Sequence, residues 1–87
     1  MRTYKEVQDC LAELIAQAMY MKAEEVEEDK LFSSFGLESL TLLKIVQKVN
    51  DKYACSIEVR EVLPHQTLKE ASTFIFDKIA SLEKIAS

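Results

Sequence analysis

Glycine and proline are almost missing from this sequence of 87 residues, which contains one of each, Gly36 and Pro64. A sandwich or barrel of many strands needs regular turn residues between its strands, and this chain does not have them. The shortage therefore favours an all-helical fold. The length allows one small domain with a single hydrophobic core, and we expect residues 1–87 to form that domain.

Cysteine and histidine are also scarce, with two cysteines, Cys10 and Cys55, and one histidine, His65. The cysteines do not form a Cys-x-x-Cys pair, so the sequence predicts neither a zinc site nor a disulfide framework. No apolar run approaches the roughly 18 residues that a membrane-spanning helix needs. The N-terminus lacks the apolar stretch of a secretion signal. We therefore expect a cytoplasmic protein without a metal site or a membrane anchor.

Basic tracts are absent as well. The net charge is -4, which disfavours attraction to the phosphates of nucleic acids. Hydrophobic residues make up 48% of the chain and charged residues 30%, proportions typical of a folded globular protein. The acidity lies in the first part, since residues 1–38 contain 4 basic and 9 acidic side chains while residues 39–87 contain 7 and 6. We expect a monomer that folds alone.

Hydrophobic periodicity predicts a first helix over about residues 4–20, with Thr3 and Glu6 as a capping box. Its apolar residues recur at helical spacing: Val7, Leu11, Leu14, Ile15, Ala18 and Met19. The pattern lapses over residues 21–38, where an acidic run between positions 24 and 29 is either a solvated face or a docking surface for basic partners. Four apolar residues are expected to hold this long connection against the core: Val26, Leu31, Phe32 and Phe35.

A second helix is predicted over about residues 39–53. Its apolar face comprises Leu42, Ile45, Val46, Val49 and Tyr53, with Leu43 at the margin. Leu40 points away from that face, so we expect it to be partly exposed beside Ser39. Lys44, Lys48 and Lys52 form a basic stripe on the polar side.

The remaining sequence predicts a short helical turn over residues 59–63 and a last helix over about residues 68–84, introduced by a second capping box, Thr67 with Glu70. The apolar positions of the last helix are Leu68, Ala71, Ile75, Ile79, Leu82 and Ala86. The expected fold is a small all-α bundle of three to four helices with a long first connection.

Ser39 lies between the only glycine and the first turn of the second helix. Gly36 can adopt a positive φ without steric cost, and the start of a helix stabilises an anion such as a phosphoester. A nucleophilic serine would need a base, but the only histidine is His65 and no Gly-x-Ser-x-Gly elbow surrounds Ser39. Serine is also a common N-cap. These residues leave open an attachment point, a helical interaction module with Ser39 as N-cap, and a small hydrolase.

The stretch LFSSFGLESL, from Leu31 to Leu40, resembles the phosphopantetheine attachment region of the acyl carrier protein family, whose members show a Gly-x-Asp-Ser-Leu core. The similarity extends to the helix layout and to the Thr67-Leu68 step before the last helix. The resemblance implies that Ser39 accepts 4′-phosphopantetheine from coenzyme A through a separate Mg-dependent phosphopantetheinyl transferase. Gly36, Glu38 and Leu40 would support this site.

The resemblance also implies a non-catalytic shuttle that carries acyl or aminoacyl groups as thioesters between a loading enzyme and a condensing or transferring synthase. Peptidyl carriers usually show Gly-Gly-His/Asp-Ser-Leu, so the single glycine followed by Leu37-Glu38 favours an acyl or polyketide-type carrier. Peptidyl carriers and D-alanyl carriers stay open as alternatives. Met1 and the lack of Pro-rich or Gly-rich flanks suit a discrete protein, and a domain cut from a larger synthase would share these features.

The sequence departs from the family at two places. Glu38 replaces the usual aspartate, which keeps the charge and makes a poorer helix cap. The second helix of fatty-acid carriers is typically acidic, whereas here Asp51 stands alone against three lysines. This difference favours a dedicated carrier of polyketide or other specialised biosynthesis. The predicted partner surface comprises Leu40, Leu43, Lys44, Gln47, Lys48 and Val62, and the alternative is that the lysines only solvate the helix.

Overall fold

The computed structural model describes the backbone of residues 3–86 and the side chains of residues 3–82. This part of the chain contains four α-helices: α1 Tyr4–Met19, α2 Ser39–Tyr53, α3 Val59–Val62 and α4 Leu68–Ala86. Two short 3-10 turns, Ala23–Glu25 and Phe32–Phe35, lie in the connection between α1 and α2. The predicted all-α bundle with a long first connection is confirmed.

The first two helices end in an unusual backbone conformation. Thr3 caps α1 as predicted, since its Oγ1 accepts a hydrogen bond from the Glu6 N–H at 3.2 Å. Tyr20 follows α1 with a φ of 55°, and Ala54 follows α2 with a φ of 52°. Left-handed geometry costs a residue with a Cβ about 1–2 kcal/mol. Both helices end in a left-handed C-cap, because the N–H of Met21 donates to the Ala16 carbonyl at 2.9 Å and the N–H of Cys55 donates to the Asn50 carbonyl at 3.1 Å.

Hydrogen bonds from backbone N–H groups to side-chain oxygens cap the N-terminal ends of α3 and α4. The Glu58 N–H donates to the Glu61 carboxylate at 3.0 Å, which starts α3. Thr67 Oγ1 accepts from the Glu70 N–H at 3.1 Å, as the predicted capping box requires. In a capping box the Glu70 carboxylate would also accept from the N–H of Thr67. Here it accepts instead from the N–H of the preceding residue, Gln66, at 3.2 Å.

The core lies between α1, α2 and α4. α2 contributes four side chains that are at most 4% exposed: Leu42, Ile45, Val46 and Val49. Ala18 and Leu82, which were expected on apolar faces, are exposed, and the side chain of Ala86 lies outside the described residues. Over residues 3–86, none of the helices combines the length and apolar character needed to cross a bilayer.

The long connection is held by Phe32 and Val26, which are 2% and 5% exposed. Phe35 is half-buried and packs against the core. The prediction that Leu31 also packs inward is wrong, since Leu31 is 54% exposed. Leu31 forms a β-bridge with Thr67, and the Phe32 N–H donates to the Gln66 carbonyl at 2.7 Å. This backbone pairing with the loop before α4 holds Leu31 at the surface, while Phe32, the first residue of the following 3-10 turn, enters the core.

Val62 also differs from its predicted role. It was expected to face a partner, but it is 1% exposed and belongs to the core. α3 is a single turn of four residues, which is too short for its periodicity to show which residue faces inward. The side chain that α3 exposes is Arg60. Val62 therefore cannot line a partner surface.

Candidate functional site

The turn that leads into α2 is built around Gly36. This residue has a φ of 80° and a ψ of 19°, and its N–H donates to the Ser33 carbonyl at 3.1 Å. A Cβ at this position would lie 3.8 Å from the Met19 Cε, which is an ordinary contact. Glycine is therefore required by the backbone conformation rather than by lack of space. The Leu37 N–H then donates to the Phe32 carbonyl at 3.2 Å and closes the turn.

Ser39 is the first residue of α2, and Glu38 is its N-cap, with a φ of -97° and a ψ of 163°. The interpretation of Ser39 as an ordinary N-cap is therefore wrong. Ser39 is exposed, and within the part of the chain that the structure describes its hydroxyl makes no hydrogen bond. The Glu38 side chain makes no capping bond either. The Ser39 hydroxyl is thus accessible to an incoming group.

The first turn of α2 leaves several backbone donors without partners in the helix. The Leu42 N–H is the first in α2 to find an acceptor in the helix, the Glu38 carbonyl at 2.9 Å. The N–H groups of Ser39, Leu40 and Thr41 come before it in the chain and have no acceptor within the helix. The first turn of α2 also contains no acidic residue. Free donors and the positive end of the helix dipole both stabilise an anion. The residues present therefore fit a group that is joined to Ser39 through a phosphate.

The outward face of α2 begins directly at Ser39. Leu40 is 64% exposed, which confirms the predicted exposure, and Leu43 is 36% exposed. Lys44, Gln47 and Lys48 follow on the exposed side of the helix. The structure thus brings together five of the six residues that were predicted to contact partners, with Val62 excluded.

The three lysines of α2 do not share one environment. Lys44 and Lys48 form no ion pair among residues 3–82. Lys52 instead borders a recess that it shares with acidic residues of α1, and its Nζ lies 5.7 Å from the centre of the Tyr53 ring. The acidic residues lining this recess are Glu6, Asp9 and Glu13. The predicted stripe is therefore split into two outward lysines and one lysine that faces α1.

The single histidine is engaged with α4. The rings of His65 and Phe74 stack, with their centres 4.8 Å apart and an angle of 21° between the planes. The recess around His65 is lined by residues of the connection, of the loop before α4 and of α4, and Ser39 is not among them. The arrangement that a serine hydrolase requires, with a base hydrogen-bonded to its serine, is not present at Ser39 in the described structure.

Asn50 organises the loop after α2, and sequence reasoning missed it. Its Oδ1 accepts from the Ile57 N–H at 2.9 Å and from the Cys55 Sγ at 3.2 Å, and its Nδ2 donates to the Ile57 carbonyl at 2.9 Å. Burial raises the pKa of the Cys55 thiol, so the thiol keeps the proton that it donates. This clamp shapes a groove between α2 and α3 that includes Leu43, Gln47 and Val59.

An ion pair ties α3 to α4. The Glu61 carboxylate lies 3.1 Å from the Lys78 Nζ. Two hydrogen bonds lower the pKa of Glu61 below its ordinary value. The larger effect comes from the Glu58 N–H and the smaller one from Lys78. Across the described residues, no group of three or more His, Cys, Asp or Glu side chains is arranged to hold a metal ion.

Comparisons with known proteins identify the family and the fold that this chain resembles. The family model described as the phosphopantetheine attachment site matches residues 9–75. Polyketide synthase PksL of Bacillus subtilis (strain 168) is 30% identical over 78 residues, which are 90% of this chain and 2% of that protein. Polyketide synthase PksN of the same strain is 26% identical over 65 residues, which are 75% of this chain and 1% of that protein. The chain therefore spans only a small part of these relatives.

A solved structure has the same fold. The NMR structure of the HMG-ACPI domain from the CurA module of Lyngbya majuscula matches with a TM-score of 0.81 and 25% sequence identity. The match covers 93% of this chain and 82% of that one.

Proposed function

The chain belongs to the family of phosphopantetheine attachment domains, the acyl carrier proteins, and we propose that Ser39 is its attachment residue. The family carries a covalently bound 4′-phosphopantetheine and is in general non-catalytic. The observation that carries the proposal is the exposed, unbonded Ser39 hydroxyl at the first turn of α2. Residues 1–87 would then form one carrier domain.

Attachment joins the Ser39 Oγ to the phosphorus that bears the pantetheine in coenzyme A. The bond from that phosphorus to the bridging oxygen of the pyrophosphate breaks, and 3′,5′-ADP leaves. The hydroxyl proton passes to a base of the phosphopantetheinyl transferase, since no side chain among the described residues is hydrogen-bonded to Ser39. Gly36 sets the turn that exposes the serine, and the N–H groups of Leu40 and Thr41 favour the negative charge.

Once attached, the group supplies a terminal thiol that holds an acyl chain as a thioester. The chain itself presents and orients this arm, because Ser39 is fixed at the end of a helix whose inner face is buried. Glu38 leaves the N–H groups of the first turn open, since its side chain makes no capping bond. The chain would thus act as substrate of the transferase and as carrier, not as catalyst.

We infer that the carried chains are acyl intermediates of polyketide-type biosynthesis. The inference is supported by the similarity to regions of two polyketide synthases and by the match to a carrier domain of the CurA module. The partners would be a phosphopantetheinyl transferase, an acyl-loading enzyme and a condensing synthase.

Mass spectrometry of the intact protein tests the attachment. Incubation with coenzyme A, Mg²⁺ and a promiscuous phosphopantetheinyl transferase should add the mass of one phosphopantetheine to the wild-type chain, and Ser39→Ala should abolish the addition. Ser33→Ala is the matched control, because Ser33 is also an exposed serine near Gly36, and this variant should be modified like the wild type.

Circular dichroism of each protein shows whether it is folded. A folded wild-type chain that stays unmodified would contradict the proposal and favour a helical interaction module. Turnover of an acyl ester by the unmodified chain would contradict it in favour of a hydrolase.

A further inference from the structure

A continuous stripe of exposed side chains runs along α2 from Ser39. We call it the outer stripe, and it comprises Leu40, Leu43, Lys44, Gln47 and Lys48. The spacing of i, i+3, i+4, i+7 and i+8 places all five on one side of the helix. With a rise of 1.5 Å per residue, Lys44 lies about 7.5 Å and Lys48 about 13.5 Å along the helix axis from Ser39. The stripe is thus apolar beside the attachment residue and basic beyond it.

The two positive charges of the outer stripe are not balanced within the described chain. Lys44 and Lys48 form no ion pair, and Asp51, the only acidic residue of α2, pairs with neither of them. Two like charges at i and i+4 destabilise a helix slightly. The arrangement therefore costs the isolated domain a little and leaves both charges available to a partner.

The neighbouring basic residues differ from Lys44 and Lys48 because each of them lies near acidic side chains. Across the groove beside α2, Arg60 pairs with Glu58 and adds no net charge. Lys52, one turn further along, borders the acidic residues of α1. The chain as a whole has a net charge of -4. The outer stripe is therefore a small positive patch on an acidic molecule.

We propose that the outer stripe docks the enzymes that exchange acyl groups with this carrier, and that those enzymes present an acidic patch next to an apolar depression at the active-site entrance. This inference rests on the proposed function, because an enzyme that accepts a chain from the Ser39 arm must approach the surface that adjoins Ser39. Leu40 and Leu43 fill the depression, where buried apolar anchors contribute most to binding. Lys44 and Lys48 face the acidic patch and select its sign.

The same charges do not suit a nucleic acid or an anionic lipid surface. Binding to phosphates grows with the number of lysines and arginines that engage them, and the outer stripe supplies two on a chain of net negative charge. A protein partner also accounts for the exposed Leu40 and Leu43, which a phosphate backbone would leave uncovered.

The test uses a ketosynthase excised from a polyketide synthase, in two versions whose active-site entrance carries either carboxylates or lysines. The carrier is acetylated without a loading enzyme, by giving acetyl-CoA to the promiscuous transferase. At low salt, wild-type carrier should transfer its acetyl group about tenfold faster to the carboxylate version, and added salt should reduce the difference. The double variant Lys44→Glu/Lys48→Glu should reverse the order of the two ketosynthases.

Two controls isolate the outer stripe. Lys52→Glu changes charge by the same amount at a site that faces α1, so it should keep the wild-type order. A small acetyl thioester without a carrier should react equally with both ketosynthases, which shows that the engineered entrances leave the chemistry intact.

The same order of ketosynthases for the wild type and the double variant would overturn the proposal, and so would a reversal by Lys52→Glu alone. Uptake of the arm is measured by mass before the ketosynthase is added. A chain that takes up no arm refutes the proposed function, whereas a chain that is modified but indifferent to the charge of the ketosynthase refutes only the docking surface.

Discussion

The two faces of α2 have opposite requirements. The inner face carries Leu42, Ile45, Val46 and Val49, which are buried in the core and need only the right volume and apolarity. The outer stripe carries two exposed leucines and two unpaired lysines, whose value depends on the sign and position of a charge. One helix therefore holds Ser39 in place with one face and, in our proposal, selects partners with the other. A change on either face should affect one property and spare the other.

The largest effect on folding is expected from the inner face. Ile45 is 2% exposed, and Ile45→Ala should lower the free energy of unfolding by about 2–5 kcal/mol because it removes buried carbons and leaves a cavity. Leu40→Ala removes as many carbons from a side chain that is 64% exposed, and should change it by less than about 0.5 kcal/mol. Urea unfolding of both variants measures the contrast. Equal losses would show that the two faces are not distinct.

Asn50 lies where the two faces meet the loop that leads to α3. Asn50→Ala removes three hydrogen bonds to Cys55 and Ile57, and should lower the free energy of unfolding by about 1–3 kcal/mol. Asn50→Asp keeps the two acceptor bonds but sets a carboxylate oxygen against the Ile57 carbonyl, so its loss should be at least as large. Urea unfolding again gives the values. A loss from Asn50→Asp well below that from Asn50→Ala would show that the donor bond to the Ile57 carbonyl contributes little.

The smallest effect is expected at Glu61, which ties α3 to α4 and lies outside both faces of α2. Its pKa is lower in the folded chain than its ordinary value of 4.5, so its contribution to stability is present above that value and is lost as the pH falls through the folded pKa. Glu61→Gln should therefore reduce stability slightly at about pH 7 and make no difference at about pH 2. Thermal unfolding at both pH values measures this. A variant that is destabilised equally at both would show that the carboxylate charge is not involved.

Much of the fold could be predicted from the sequence because local signals determine it. Apolar spacing identified α1, α2 and α4 to within two residues at the ends, and Thr3 and Thr67 marked where two of them begin. The exposure of Leu40 followed from its angle on the helix alone. The special conformation of Gly36 could be expected because no other residue adopts a positive φ so easily.

The features that were predicted wrongly or missed share a different cause. Leu31 is turned outward by backbone pairing with Thr67, and Asn50 acts through the backbone of Ile57, so both depend on neighbours that periodicity does not reveal. Val62 sits on a helix too short to show a pattern. The split between Lys52 and the other two lysines depends on how α1 packs against α2. Pairwise contacts between elements, rather than the elements themselves, are what the sequence did not reveal.

The left-handed residues that end α1 and α2 bear on how such a carrier can evolve. The left-handed conformation costs Tyr20 and Ala54 about 1–2 kcal/mol each, whereas glycine adopts it freely. Because glycine loses more conformational entropy on folding, replacing either residue by glycine would recover only about half of that cost. Replacing these two exposed residues by glycine could therefore raise the stability of the chain. A lineage that acquires destabilising charges on the outer stripe while changing partners could restore its fold at these two positions, so partner choice and folding can be altered by separate mutations.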